Sequence, residues 1–457
     1  MIDDKLHEEC GVFGIYAPAG TAVAKDVYYG LIALQHRGQE SAGISVTDTE
    51  GEKGNVQTKK GMGLVSEVFD AADLERLNGN IGVGHVRYST TGGSRVENAQ
   101  PIAMNYIKGS LALVHNGNLV NAAELKDKQI RRGQAHFTST DSEVLAYEII
   151  SERLQTPSIE EAVKNAATRL RGGYAVIIMS PKKLIAVRDP YGIKPMVLGK
   201  RGEAYLIASE SAAIHAVGGE LIRDIKPGEI VTVTENGLET DETLCREKRA
   251  HCIFEYIYFA RTDSVIDGIE VYDARRRAGH ALAQNDDVEA DIVAGVPESG
   301  LIAAEGYSEE SGIPFRIIFH KNSYVGRSFI KPSDQERKAA VHMKLNVVGS
   351  VVKDKRIVLI DDSIVRGTTM RQIIETLRAA GAKEVHVRIS SPPFLYPCFY
   401  GTDVPSSKQL IASEHSTEEI RKTIGADSLR YLRLEDFRMM VGDLPLCSAC
   451  FDNNYPV

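Results

Sequence analysis

The sequence predicts an α+β layered domain with antiparallel sheets, followed by an α/β domain built on a parallel, doubly wound sheet. Three observations carry this. Short alternating segments dominate the first half, at Cys10 to Tyr16, Gly43 to Val46, Leu111 to Val114, Tyr174 to Ile178 and Lys183 to Val187. They are mixed with a helical spacing at Val23, Val27, Leu31 and Leu34, a mixture that suits layers of helix and antiparallel sheet. Past the polar stretch 235–249, strands alternate with helices: Ile292 to Gly295, a loop, a helix over Leu301 to Tyr307, then a strand over Phe315 to Phe319. Domain limits of 10–245 and 246–457 follow, behind a leader of residues 1–9.

Among the later elements, Arg356 to Thr369 is the most informative. Four apolar residues, Ile357 to Ile360, run into two adjacent carboxylates, Asp361 and Asp362. A loop through Ser363, Arg366, Gly367, Thr368 and Thr369 follows, and Met370, Ile373, Ile374 and Leu377 then fall on one helical face. Gly381 ends that helix, and Val385, Val387 and Ile389 alternate as the next strand. Open parallel sheets bind ligands at such a strand end. Backbone N–H groups at the helix start favour a phosphate, and carboxylates accept from sugar hydroxyls and hold Mg²⁺. Asp-Asp alone reads better as a capped turn with solvated acids; strand, acid pair and Gly-Thr-Thr together favour a phosphorylated sugar.

Composition narrows the class. The chain has 457 residues, 43% apolar and 25% charged, which is ordinary for a globular protein. A net charge of −8 gives no electrostatic support for nucleic-acid binding. The first residues lack a secretory apolar core, no apolar run reaches membrane-spanning length, and six cysteines without a signal suit a reducing, cytoplasmic setting.

In the first half Cys10 stands in Glu-Cys-Gly-Val-Phe-Gly. A lone cysteine on a first strand reads as a small core residue. Four clusters downstream suggest more: Gln35-His36-Arg37-Gly38, His85-Val86-Arg87-Tyr88, His115-Asn116-Gly117-Asn118 and Thr140-Asp141-Ser142-Glu143. Arg87, with Arg37 beside it in the set, would hold the α-carboxylate of an amino acid and Asp141 its α-ammonium. Asn116 and the Gly117 N–H would receive the oxyanion of a tetrahedral intermediate.

In this order, behind this cysteine, the clusters resemble the N-terminal nucleophile (Ntn) glutamine amidotransferases, and the Asp361 block resembles type I phosphoribosyltransferases. Together the halves resemble the glutamine phosphoribosylpyrophosphate (PRPP) amidotransferase family over nearly the whole chain. The resemblance implies an Ntn-hydrolase four-layer sandwich followed by a type I phosphoribosyltransferase fold. It implies the first committed step of purine synthesis: glutamine, PRPP and water give 5-phosphoribosylamine, glutamate and pyrophosphate. Cys10 would be the nucleophile with its own α-amine as base, so residues 1–9 would be a propeptide cleaved before Cys10. The loop Val296, Pro297, Glu298, Ser299 and Gly300 would hold pyrophosphate, with Ser299, Asp361 and Asp362 round Mg²⁺. Residues from Lys321 to Asn346, with Arg327 and Lys344, would form a lid.

The iron–sulfur branch of the family is matched by Cys252, Cys398, Cys447 and Cys450, as ligands of a [4Fe–4S] cluster. From their spacing alone, zinc or simple buried thiols remain alternatives. The resemblance further implies feedback by purine nucleotides and a homotetramer. Two other classes compete. A different Ntn amidotransferase would lack the Asp361 block, and a PRPP-sensing regulator would need a DNA-binding element and have no use for Cys10, Arg87 and Asp141.

Overall fold

The computed structural model describes residues 10–50, 55–88, 93–284, 286–322, 345–402 and 406–457. In its first half the strands are β1 (Gly11–Tyr16), β2 (Ser41–Thr47), β3 (Gln57–Met62), β4 (Ile81–Arg87), β5 (Ile102–Tyr106) and β6 (Gly109–Leu119). They continue as β7 (Gly172–Ser180), β8 (Lys183–Arg188), β9 (Val197–Arg201), β10 (Ala204–Ala208), β11 (Glu220–Asp224), β12 (Ile230–Thr234) and β13 (Gly237–Asp241). Two antiparallel sheets result, ordered β11-β9-β10-β1-β4-β2-β3 and β13-β12-β8-β7-β6-β5.

Strand β1 explains the layering. All six of its residues are buried, because its two faces meet different cores. Phe13 and Ile15 pack with Val27 and Leu31 of the helix Ala24–Ala33 on the outer side. Val12 and Tyr16 point between the sheets, against Val114, Ile177 and Leu184 of the second. Period-two alternation on a strand covered on both sides gives this result. The helices Asp141–Gln155 and Ile159–Ala167 close the other side, where Leu145, Ile149 and Val163 meet Ile178 and Ile185. The domain is thus helix, sheet, sheet, helix, as the resemblance implied.

Beyond Asp241 the chain forms β14 (His251–Cys252), β15 (Val265–Ile266), β16 (Ile269–Glu270), β17 (Ile292–Gly295), β18 (Phe319–Lys321) and β19 (Leu345–Val347). The rest are β20 (Arg356–Asp361), β21 (Glu384–Ile389), β22 (Ser428–Tyr431) and β23 (Leu446–Cys447). The main sheet, β17-β20-β21-β22, is wholly parallel. The helices Val271–Gln284 and Ser299–Ser311 cover one face, burying Ala278 and Ala303 with Val358 and Ile360. Thr368–Ala379 and Thr417–Ile424 cover the other, where Ile373, Leu377 and Ile420 meet Leu359 and Val387. One expected strand is reduced. Phe315 makes a single parallel bridge with Val293, and regular pairing begins only at Phe319, with β19. Ile317 is 66% exposed, so the run has no second covered face to extend it.

The halves are joined by buried ion pairs. Arg188, ending β8, donates to both oxygens of Asp267 at 2.7 and 2.8 Å, and His251 Nδ1 lies 2.7 Å from the same carboxylate. Among the described residues no helix is long and apolar enough to cross a membrane.

Candidate functional site

Cys10 enters β1 beside β4. Gly11 pairs with Val86, so Cys10 and Arg87 are the next residues out on adjoining strands. The Cys10 thiol donates to the Tyr88 carbonyl at 3.5 Å. Arg87 is buried, and its Nη1 donates to Glu40 Oε1 at 2.8 Å. Arg37 is placed differently from the expected glutamine contact. It is 1% exposed; its Nε donates to the Cys10 carbonyl at 3.2 Å and its Nη atoms to Glu210 and Glu255. Two carboxylates and a carbonyl thus absorb its planar fork, which holds the backbone of Cys10. Burial opposes the charge of Glu210, yet His36 and Arg37 hold its carboxyl well below the usual range.

The second sheet approaches the same place through β6. The His85 ring on β4 lies 3.1 Å from the His115 carbonyl oxygen on β6. Burial holds His85 down to about 3 and lowers His115 as well, although Asp141 pulls the latter upward, so both rings are neutral near neutrality. Asn116 and Gly117 follow on β6. Asn116 Nδ2 is buried and without a hydrogen-bond partner among the described residues. Gly117 has φ +133, and a Cβ there would meet the Gly173 carbonyl oxygen at 2.0 Å, so only glycine fits. Asp141 opens the helix Asp141–Gln155, and its Oδ2 accepts the Leu119 N–H at 2.9 Å.

At the carboxyl ends of β17 and β20 two loops face each other. The Val296 N–H donates to the Ile360 carbonyl at 2.8 Å. Gly300 brings its helix onto β20: a Cβ there would meet the Ile360 carbonyl oxygen at 2.4 Å. Asp361 and Asp362 are each 3% exposed. Ser299 and Ser363 both donate their hydroxyls to Asp362, and the Asp362 N–H donates to Asp361 at 3.0 Å. Gly367, with φ +83, caps the helix Thr368–Ala379, and Arg366 reaches Gln409 at 2.7 Å. The peptide between Pro297 and Glu298 is cis, and Glu298 pairs with Lys321 at 3.1 Å. The remaining lid residues, 323–344, and the leader 1–9 lie outside the described residues.

The four cysteines of the carboxyl half meet. Cys252, Cys398, Cys447 and Cys450 line one small cavity with Phe254, Phe394 and Tyr400. Strand pairing sets Cys252 directly beside Cys447. Burial pushes the Cys447 thiol up to about 12 and Cys450 well above its ordinary value. Among the described residues no three His, Cys, Asp or Glu side chains close on a single metal ion.

A family model of a glutamine amidotransferase domain matches residues 85–216, and one of a phosphoribosyl transferase domain matches residues 267–390. An amidophosphoribosyltransferase of Methanocaldococcus jannaschii is 47% identical over 98% of this chain and 97% of its own length. One from Bacillus subtilis is 48% identical over 99% of this chain and 94% of its own. The chain belongs to the amidophosphoribosyltransferase family. A solved structure of the glutamine PRPP amidotransferase from B. subtilis, complexed with ADP and GMP, superposes with a TM-score of 0.90. It is 46% identical, covering 98% of this chain and 97% of that one.

Several residues that organise the surroundings of these groups were not singled out from sequence. Glu210 and Glu255 hold Arg37, and Glu210 also accepts from the Ser264 hydroxyl. Arg275 donates to the carbonyls of Tyr256, Tyr258 and Ala260, which ties the turn after Glu255 to the helix Val271–Gln284. Burial lowers Arg275 to about 10 against the pull of Asp362. Asp189, fully buried, accepts the N–H groups of Tyr191, Ile193 and Lys194. The signal for Asp189 was Arg-Asp-Pro-Tyr-Gly, a turn-forming run that follows a strand.

Proposed function

We propose that this chain transfers the amide nitrogen of glutamine to PRPP, giving 5-phosphoribosylamine, glutamate and pyrophosphate in purine biosynthesis. The buried Nδ2 of Asn116, without a hydrogen-bond partner among the described residues, is the observation that carries it. Buried donors are nearly always satisfied, and an oxyanion would complete this one.

In this reading residues 1–9 are removed, and the freed α-amine of Cys10 takes the thiol proton. A reference pKa of about 7.7–8.0 suits that transfer near neutrality. The thiolate attacks the glutamine amide carbon, while Asn116 Nδ2 and the Gly117 N–H receive the developing negative oxygen. Arg87 and Asp141 hold the two charged ends of glutamine. Arg37 acts one step back, fixing the Cys10 carbonyl rather than touching substrate. Collapse of the intermediate releases ammonia and leaves a thioester that water hydrolyses. Ammonia passes internally to the second site, since free ammonia would protonate and lose its lone pair.

There the 296–300 and 361–369 loops hold PRPP, with backbone N–H groups and Arg366 on phosphate and the acid pair on the ribose. Ser299, Asp361 and Asp362 offer oxygen ligands alone, which suit Mg²⁺ held by one or two carboxylates and substrate phosphates. When bound, the ion supplies charge neutralisation for departing pyrophosphate. The cysteine cavity supports the cluster reading, with zinc as the alternative. Cys252, Cys398, Cys447 and Cys450 line this cavity and would hold such a cluster through four thiolates. In this reading the role of the cluster is structural. Protein purified without oxygen should carry iron and visible absorption, and Cys447→Ser should lose both. The nucleotide-bound B. subtilis relative supports purine nucleotides as feedback ligands.

Glutamate release from glutamine, with Mg²⁺ and with or without PRPP, tests the whole reading. Strong stimulation by PRPP is expected. An unchanged rate would separate the amidase from the second domain and contradict it.

A further inference from the structure

The loop that carries Cys398 does more than line the cysteine cavity. Its next three residues rest on the strand that bears the oxyanion donors. Asn118 Nδ2 donates to the Phe399 carbonyl at 2.9 Å, across 281 positions of sequence. Gly401, at φ +111, lies so close to Gly117 that a Cβ would sit 3.0 Å from both its Cα and its carbonyl carbon. A Cβ on Gly173, the register partner of Asn118, would sit 3.2 Å from Cβ of Tyr400. Three consecutive residues of the second domain therefore seat on the end of β6 and its neighbour.

That seat is itself pinned. The Tyr400 N–H lies 3.4 Å from the Cys398 sulfur as a donor, and the Tyr400 hydroxyl accepts the Val457 N–H at 3.1 Å. Tyr455 donates its hydroxyl to the Pro397 carbonyl at 2.6 Å. The loop is held from behind by the chain's last residues and pressed from in front against Gly117. Gly117 is held on one side by its pairing with Tyr174 of β7, at φ +133. A donor that must meet an oxyanion within a few tenths of an ångström is fixed more closely when its other side is seated too.

We propose that the Phe399–Gly401 backbone positions the oxyanion-hole peptide of Gly117 through Asn118, making Asn118 a positioning residue for glutamine hydrolysis. This rests on the assignment of Asn116 and Gly117 as oxyanion donors. The oxyanion develops only as the tetrahedral intermediate forms and is absent from bound glutamine, so loss of the restraint acts on kcat for glutamine and spares its KM. Ammonia supplied directly bypasses the amidase site and leaves the second half-reaction untouched.

The test compares glutamine-dependent with ammonia-dependent synthesis of 5-phosphoribosylamine in full-length Asn118→Leu, the near-isosteric Asn118→Asp, Gly401→Ala and, as reference, Asn116→Ala. For both Asn118 variants and Gly401→Ala, glutamine kcat should fall about 10- to 100-fold with KM nearly constant and the ammonia rate unchanged. Wild-type glutamine kcat in the Asn118 variants, with Asn116→Ala impaired, would overturn the positioning role alone. Full glutamine kcat in Asn116→Ala would overturn the oxyanion assignment beneath it. Equal loss of both rates, even in Asn118→Asp, would mark the contact as general packing between domains and also overturn the proposal.

Discussion

Arg37 and Glu255 form a two-pronged buried pair between the domains, with Nη2 2.6 Å from Oε1 and Nη1 3.0 Å from Oε2. The same guanidinium donates through Nε to the Cys10 carbonyl. One side chain thus holds both the junction of the two halves and the backbone of Cys10.

Replacing Arg37 by Met takes the guanidinium away from the buried Glu210 and Glu255 carboxylates, of which Glu210 keeps His36. Breaking a buried pair in this way costs about 3–5 kcal/mol, which chemical denaturation will read. Lys restores the charge but not the fork, so Arg37→Lys should recover only part of that loss. Pairing Arg37→Met with Glu255→Gln should recover some too, because one stranded charge is removed.

Acid stability gives a second test, at Asp267. Burial opposes its charge, but Arg188 and His251 outweigh that and hold its carboxyl below the ordinary range. A folded pKa below the unfolded value of about 3.9 adds stability at neutral pH that is lost as pH falls below about 4. Asp267→Asn should therefore be less stable than wild type near pH 7, about the reference state for ionised carboxylates, with the gap closing below about pH 4. Urea midpoints across that range will show whether the two curves converge; parallel curves would contradict the assignment.

Ser299 separates the two sites experimentally. Its hydroxyl donates to Asp362, and removing such a supporting hydrogen bond at a metal site typically costs about 10- to 100-fold in metal affinity or activity. Ser299→Ala should raise the Mg²⁺ needed for half-maximal synthesis by that order, while glutamate release without PRPP stays at its basal rate. A matched loss of both activities would place Ser299 outside the PRPP site.

Gly300 tests the same loop by packing. An alanine methyl would press on the Ile360 carbonyl, which neither strand nor helix can move cheaply. Overpacking of this kind costs about 1–3 kcal/mol. Gly300→Ala should lose PRPP-stimulated glutamate release together with a comparable drop in unfolding free energy.

Local chemistry made much of this legible in advance. The run Ile357 to Ile360 before Asp361 and Asp362 could be read because a buried strand, an acid pair and a glycine-capped helix are contiguous. The alternation at Tyr174 to Ile178 gave β7 for the same reason. Contacts between distant positions were not legible. Arg37 looked like a substrate ligand because nothing in Gln-His-Arg-Gly shows that Glu210 and Glu255 fold onto it. The Phe315 strand was over-read because periodicity does not show which faces find cover. The seat of Phe399 on Asn118 depends on how two domains dock, which no local pattern encodes.

The most direct measurement uses Cys10→Ala, supplied in turn with glutamine and with ammonia, in the presence of PRPP and Mg²⁺. Loss of glutamate release and of glutamine-dependent synthesis, with ammonia-dependent synthesis intact, is the predicted result. Synthesis from glutamine at the wild-type rate in Cys10→Ala would contradict the assignment of Cys10 as nucleophile.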